Sequence, residues 1–138
     1  MREKQIRVLL TVARFDGHDR GVRYLARKLM EFGLEVIFTR FVYPQDVVSA
    51  AIQEDADVVG VSFSVGGHKV ITPEIIKGLK ENKREEVLVI VGGVIPDGDI
   101  PELIKIGVGR TFGPGSVAAD IAQYIKDNVA QRAISSSK

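Results

Sequence analysis

The chain has 138 residues, 45% of them hydrophobic, with 19 basic against 18 acidic side chains and no cysteine. That length supports one packed domain and not two full ones. A net charge of +1, with lysines and arginines scattered rather than stacked, argues against a nucleic-acid surface, and the missing cysteines exclude disulfides and thiolate metal sites.

Ile6 to Ala13 is aliphatic and β-branched, is bounded by a glycine-bearing loop, and reads as a first strand buried on both faces. After that loop, Val22, Leu25, Ala26 and Leu29 fall at helical spacing from Gly21 onward, and Gly33 supplies the stop. Leu34 to Thr39 makes a second strand. Pro44 sits where a helix's first turn tolerates proline, and Val47, Val48, Ala51 and Ile52 give that helix its buried face. Asp57 to Ser62 is the third strand. Thr72 and Pro73 read as an N-cap and a first-turn proline, with Ile75, Ile76 and Leu79 on one face before the helix ends near Arg84. Val87 to Val91 is the fourth strand, Pro101 to Ile106 a short helix stopped by Gly107, and about Gly109 to Phe112 a brief fifth strand. Ser116 is expected to cap a last helix that buries Ala118, Ile121, Ala122, Ile125 and Val129. The expected domain covers residues 1–132, with residues 133–138 a disordered tail frayed at its serines. The charged segment Met1 to Gln5 leads into a strand, and no apolar run approaches the roughly 20 residues that span a bilayer. The expectation is a cytoplasmic chain with no membrane anchor.

Five strands alternating with five helices imply a doubly wound parallel sheet of the α/β, flavodoxin-like (Rossmann-like) class, with strand order 2-1-3-4-5. In that order strands one and three are neighbours at the switch point, where ligands bind outside the carboxyl ends. The loops leaving them, Arg14 to Arg20 and Phe63 to Ile71, hold both histidines, His18 and His68.

A carboxylate two residues before a histidine, as Asp16 stands to His18, can hold an imidazole in one tautomer and aim its other nitrogen at a metal. Two histidines without cysteine argue against a protein-only zinc site. A receiver domain needs a phosphate-accepting aspartate where the third strand ends in Ser62, and neither a Ser/Thr-rich phosphate loop nor G-x-G-x-x-G follows the first strand. The glycines of Gly66-Gly67, Gly92-Gly93 and Gly113-Pro114-Gly115 fall at expected strand ends, where a bulky ligand can approach the backbone. Phe15 and Phe63 read either as exposed aromatics on a surface that something covers or as ordinary loop packing.

Four motifs stand in order, each after a strand: Asp16-Gly17-His18-Asp19-Arg20-Gly21; Val59-Gly60-Val61-Ser62 with Gly66-Gly67-His68-Lys69; Val91-Gly92-Gly93-Val94-Ile95-Pro96; and Phe112-Gly113-Pro114-Gly115. In them the chain resembles the cobalamin-binding domain of the acyl-CoA mutases, the methylmalonyl-CoA mutase family, over about Ile6 to Ile125. The resemblance implies that His18 coordinates cobalt after the cofactor's own dimethylbenzimidazole has swung away, with Asp16 holding the other ring nitrogen. It implies a cofactor-binding set of Asp16, Gly17, His18, Asp19, Arg20, Gly21, Ser62, Phe63, Ser64, Gly66, Gly67, Gly92, Gly93, Gly113, Pro114 and Gly115. No catalytic side chain is implied beyond the cobalt ligand, and His68 either touches the corrin or a partner, or is a solvated or helix-capping residue. Mutases commonly carry a lysine a few residues before the aspartate, where this chain has Val12-Ala13-Arg14-Phe15, and a leucine where it has Ser64. These departures bear on substrate and tuning more than on cofactor binding.

The first strand starts too early for the helical cap that precedes this fold in corrinoid methyltransferases, and the chain is too short to add a barrel of about 250 residues. The implied protein is the small subunit of a two-chain, adenosylcobalamin-dependent isomerase that performs a radical 1,2-rearrangement of an acyl-CoA. Its partner would be a large acyl-CoA-binding subunit with a TIM barrel. A cobalamin carrier or sensor without a catalytic partner, and a corrinoid protein of a methyltransferase system, are the alternatives.

Overall fold

Apolar runs in which both strand faces are hydrophobic fold into a sheet covered on both sides, and this chain has three of them. β1 (Arg7–Ala13), β3 (Val58–Phe63) and β4 (Leu88–Gly93) are buried almost throughout, as the central strands of a parallel sheet must be. The computed structural model describes residues 5–14, 16–64 and 66–136, with side chains as far as residue 129. β2 (Glu35–Phe41) and the three-residue β5 (Arg110–Phe112) form the edges. All neighbouring strands are parallel, in the order β2-β1-β3-β4-β5. This is the expected flavodoxin-like order.

The helices divide between the two faces. α1 (Arg20–Glu31) and α5 (Ala118–Ser136) bury Val22, Ala26 and Leu29 with Ile121, Ala122 and Ile125 against Val8, Leu10, Val58, Leu88 and Ile90. On the other face, α2 (Pro44–Gln53), α3 (His68–Glu81) and α4 (Ile100–Ile106) bury Val47, Val48, Ala51, Ile75, Leu79 and Leu103 against Leu9, Val59, Val61, Val89 and Val91. α4 follows a short 3-10 turn, Asp97–Asp99. α5 runs to Ser136, so the expected tail at residues 133–138 falls on its last residues and on two outside the description.

Three local readings are corrected. α3 starts at His68 and not at Pro73, because Val70 and Ile71 already donate to the Gly67 carbonyl at 3.1 and 2.9 Å. Gly66 and Gly67, with φ of 89° and 93°, turn the chain into the helix, which leaves Thr72 fully buried and Pro73 inside. The same helix stops at Glu81 rather than near Arg84. Lys83, at φ 60°, lets Arg84 donate back to the Leu79 carbonyl at 2.8 Å, the hydrogen bond that closes a helix C-terminus. Ser116 does not cap α5: its hydroxyl donates to the Gly113 carbonyl at 2.8 Å and closes the turn before the helix.

Candidate functional site

The carboxyl ends of β1, β3, β4 and β5 surround a slot of about 360 Å³ that α1 and α5 flank. Its walls are mostly apolar, from Leu10, Val22, Leu25, Ile90, Phe112 and Ile121, with Ser62, Ser64, Ser116 and His18 as polar points. That volume is within the range of small-molecule sites. Gly60, in mid-strand, lets the slot's walls close over the sheet: a Cβ there would lie 2.7 Å from Leu10 Cδ2 and 3.4 Å from Ile90 Cγ1, both of which line the slot. Gly92 lies close to β5, where a Cβ would come within 3.3 Å of the Phe112 carbonyl oxygen.

His18 stands at the mouth of this slot. The chain leaves β1 through a tight turn in which Asp16 N–H donates to the Ala13 carbonyl at 3.0 Å, and this turns the Asp16 side chain inward. Oδ1 of Asp16 accepts from His18 N–H at 2.8 Å and pairs with His18 Nδ1 at 3.0 Å. Oδ2 accepts from Ser64 Oγ at 2.5 Å. The aspartate side chain is 2% exposed and the imidazole 72%. Burial by itself pushes the Asp16 carboxyl up, but the hydrogen bonds from Ser64 and from the backbone and ring of His18, with the attraction of the imidazole, outweigh it and hold the group below the usual carboxylate range. An ionised Asp16 accepts and does not donate, so the proton of a neutral His18 sits on Nδ1 and the Nε2 lone pair is left for a metal.

Among the described residues no group of three or more His, Cys, Asp or Glu side chains converges. A single exposed imidazole of fixed tautomer can supply one ligand to a metal, and the mostly apolar slot beside it can take an organic group.

The structure brings together His18, Gly21, Ser62, Ser64, Gly92, Gly93, Gly113, Pro114 and Gly115 around the slot, with Asp16 behind His18. Gly17 and Asp19 belong to the same loop and Arg20 opens α1, and none of the three lines the slot. The hydrogen bond from Arg23, opposed by burial and reinforced by the charges of Arg23 and Arg40, holds Asp19 below its usual range. Phe63 is not an exposed aromatic: it is 3% exposed and packs in the core on the α2–α3 face. Gly66 and Gly67 serve the start of α3 and stand apart from the slot. His68 is buried as well, with Nε2 paired to Asp99 at 2.8 Å and the ring edge-on to Phe63. Phe15 lies outside the described residues.

Residues that sequence reasoning did not assign to the site include Tyr24 and Leu25 on α1 and Gly60 in β3, all of which line the slot. The lone glycine inside an apolar strand was the available signal for the last. Exposed apolar side chains also collect at this end of the sheet: Val42 and Tyr43 after β2, Val70 at the start of α3, Val94 after β4 and Val117 before α5.

Residues 6–123 match the family model described as the B12 binding domain. The chain is 41% identical over 133 residues to the 2-hydroxyisobutanoyl-CoA mutase small subunit of Aquincola tertiaricarbonis, covering 96% of this chain and 98% of that one. It is 40% identical over 122 residues to methylmalonyl-CoA mutase of Cereibacter sphaeroides and 37% identical over 124 residues to the mitochondrial enzyme of Homo sapiens, with 88% and 89% of this chain aligned. Of those two longer relatives it spans only 17% and 16%. Among solved structures, a cobalamin-binding protein from Desulfitobacterium hafniense superposes with a TM-score of 0.74 at 20% identity, covering 91% of this chain and 60% of that one. The receiver domain of the response regulator NarL from Mycobacterium tuberculosis superposes with a TM-score of 0.72 at 12% identity, covering 93% and 98%. These two share the fold.

Proposed function

This chain belongs to the B12-binding domain family, and from that premise we propose that it binds adenosylcobalamin as the small subunit of a two-chain acyl-CoA mutase. The observation that carries the reading is the Asp16–His18 pair, one ring nitrogen locked by a buried carboxylate at the mouth of an apolar slot. Nearly full-length similarity to a mutase small subunit supports it.

The residues present fit the group. His18 Nε2 would ligate the cobalt, Asp16 would keep the imidazole in the ligating tautomer, and Ser64 would hold Asp16 in place. The slot, with apolar walls and Ser62 among its lining residues, would hold the dimethylbenzimidazole tail. When bound, adenosylcobalamin supplies the radical chemistry that starts a 1,2-rearrangement of an acyl-CoA carbon skeleton. The chain's own contribution would be to bind the tail by burial, orient the His18 imidazole and fix its proton on Nδ1.

The acyl-CoA site and the dry enclosure of the radical fall to a large subunit with a TIM barrel that covers the carboxyl end of the sheet. The exposed Val42, Tyr43, Val70, Val94 and Val117, at the same end of the sheet as the His18 loop, favour such a cover. No described helix is long and apolar enough to cross a membrane, and the cytoplasmic placement rests on the cysteine-free composition alone. The test is activity on reconstitution. The protein with adenosylcobalamin and an acyl-CoA should be inactive alone and active with a barrel-bearing mutase subunit. Rearrangement by the small subunit alone would contradict the reading.

A further inference from the structure

Arg40 stands near the end of the edge strand β2, opposite Val12 in the β1 ladder. Its guanidinium spans the loop that carries His18. Nη1 donates to the backbone carbonyl of Asp16 at 3.3 Å, and Nη2 pairs with the carboxylate of Asp19. The two acceptors flank His18, one at each end of the segment from Asp16 to Asp19. Phe38, two residues earlier on β2 and so on the same face of the strand, has the Arg40 Cζ 5.7 Å from its ring centroid and the Arg23 Cζ 5.1 Å from it. The Arg40 guanidinium thereby has an aromatic neighbour as well as its two acceptors, and at 31% exposure the side chain is partly withdrawn from water.

Arg23 also bonds Asp19, at 2.8 Å, but the two arginines do different things. Arg23 and Asp19 are four residues apart at the start of α1, so their pair stays within one element. Arg40 ties the loop to a different strand and reaches two acceptors at once. A planar fork suits that task, whereas an ammonium on a flexible stem engages one acceptor at a time.

We propose that Arg40 is a positioning residue for His18, clamping both ends of the Asp16–Asp19 segment to the β2 edge so that the imidazole is held at the slot mouth before cobalamin arrives. Asp16 sets which nitrogen His18 offers, and Arg40 sets where the loop offers it. The inference rests on the reading that His18 ligates cobalt. It assigns a role in cofactor binding to a residue outside the histidine motif and outside the slot.

The test uses the whole chain loaded with cob(II)alamin, its histidines labelled with nitrogen-15, and electron paramagnetic resonance to measure the ratio of histidine-ligated to unligated cobalt. Arg40→Ala should lower that ratio by about fivefold, the scale of one partly exposed charge pair, and Arg40→Lys should fall between. Arg23→Ala should match the parent, with all thermal midpoints close to it. Should Arg40→Ala fail to fold, Arg40→Lys, which keeps the charge, carries the comparison against the parent. A parent that shows histidine ligation and an Arg40 variant with an unchanged ratio would overturn the positioning role. So would an Arg23→Ala loss equal to that of Arg40→Ala, because the charge on Asp19 and not the clamp would then matter. A parent without histidine ligation would overturn the ligand reading itself.

Discussion

Replacing Gly93 with alanine should destabilise this protein more than its chemical modesty suggests. Gly93 ends β4 opposite Phe63 and has a φ of 96°. A Cβ there would be driven into the Phe63 carbonyl oxygen and would lie 2.9 Å from the carbonyl carbon and the amide nitrogen of the same residue. These are backbone atoms and cannot rotate away. Moving them also disturbs the 2.8 Å hydrogen bond from Val94 N–H to that oxygen. Left-handed backbone at a non-glycine residue costs about 1–3 kcal/mol, and forcing atoms apart in a packed region a further 1–3 or so. A loss of about 4 kcal/mol is a large part of the roughly 5–15 kcal/mol that holds a domain folded. At about 2.1 cal/mol/K of unfolding entropy per residue, it lowers the midpoint of a chain this long by about 14 °C. Gly113 is the control, since a Cβ there meets no atom within 4 Å and its φ is not positive. Gly113→Ala should stay within about 0.5 kcal/mol of the parent, or about 2 °C. Thermal unfolding of the ligand-free proteins by circular dichroism measures both. A Gly93→Ala midpoint within 2 °C of the parent, or a Gly113→Ala variant equally damaged, would refute the reasoning.

Asp16→Asn keeps an acceptor for His18 but removes the charge, so cobalamin affinity should fall about 10- to 100-fold, the usual effect of altering a metal ligand's supporting carboxylate. An equilibrium titration equal to the parent's would reduce Asp16 to a turn residue. The same group predicts an acid limit: its carboxyl lies below its unfolded value, so its stabilisation is complete above about pH 4 and is lost as pH falls through the folded value. Chemical denaturation across pH 2–6 should show a steeper loss in the parent than in Asp16→Asn; parallel curves would contradict this. Mixing with a large mutase subunit should slow hydrogen exchange in the loops after β1, β2 and β3 and leave the opposite end, near Gly33 and residues 54–57, unchanged. Protection at that opposite end instead would place the partner elsewhere.

The order of elements was legible because buried parallel strands are short aliphatic runs and the amphipathic helices repeat at their own period, as Val22, Ala26 and Leu29 do. The histidine loop was legible because Asp16 and His18 are neighbours in sequence. What escaped depends on which way a side chain faces or on distant partners. Ser62 and Phe63 are consecutive in a strand and so point to opposite faces: the first lines the slot while the second enters the core. Thr72-Pro73 carries the local chemistry of a helix start, yet the Gly66-Gly67 turn begins the helix a turn earlier. Ser64 departs from the family's usual leucine, and only the folded chain shows its hydroxyl on Asp16, 48 residues away in sequence. His68, read as a contact to the corrin or a partner or as a cap, is buried against Phe63 and Asp99 because α3 begins with it.

The central claim is that His18 is the protein's ligand to cobalt, and electron paramagnetic resonance of the cob(II)alamin complex tests it most directly. The parent, with its histidines labelled with nitrogen-15, should show hyperfine splitting from one labelled axial nitrogen. His18→Ala should lose that splitting while keeping its fold, since an imidazole 72% exposed contributes little to the core. An identical spectrum in the parent and in His18→Ala would contradict the account.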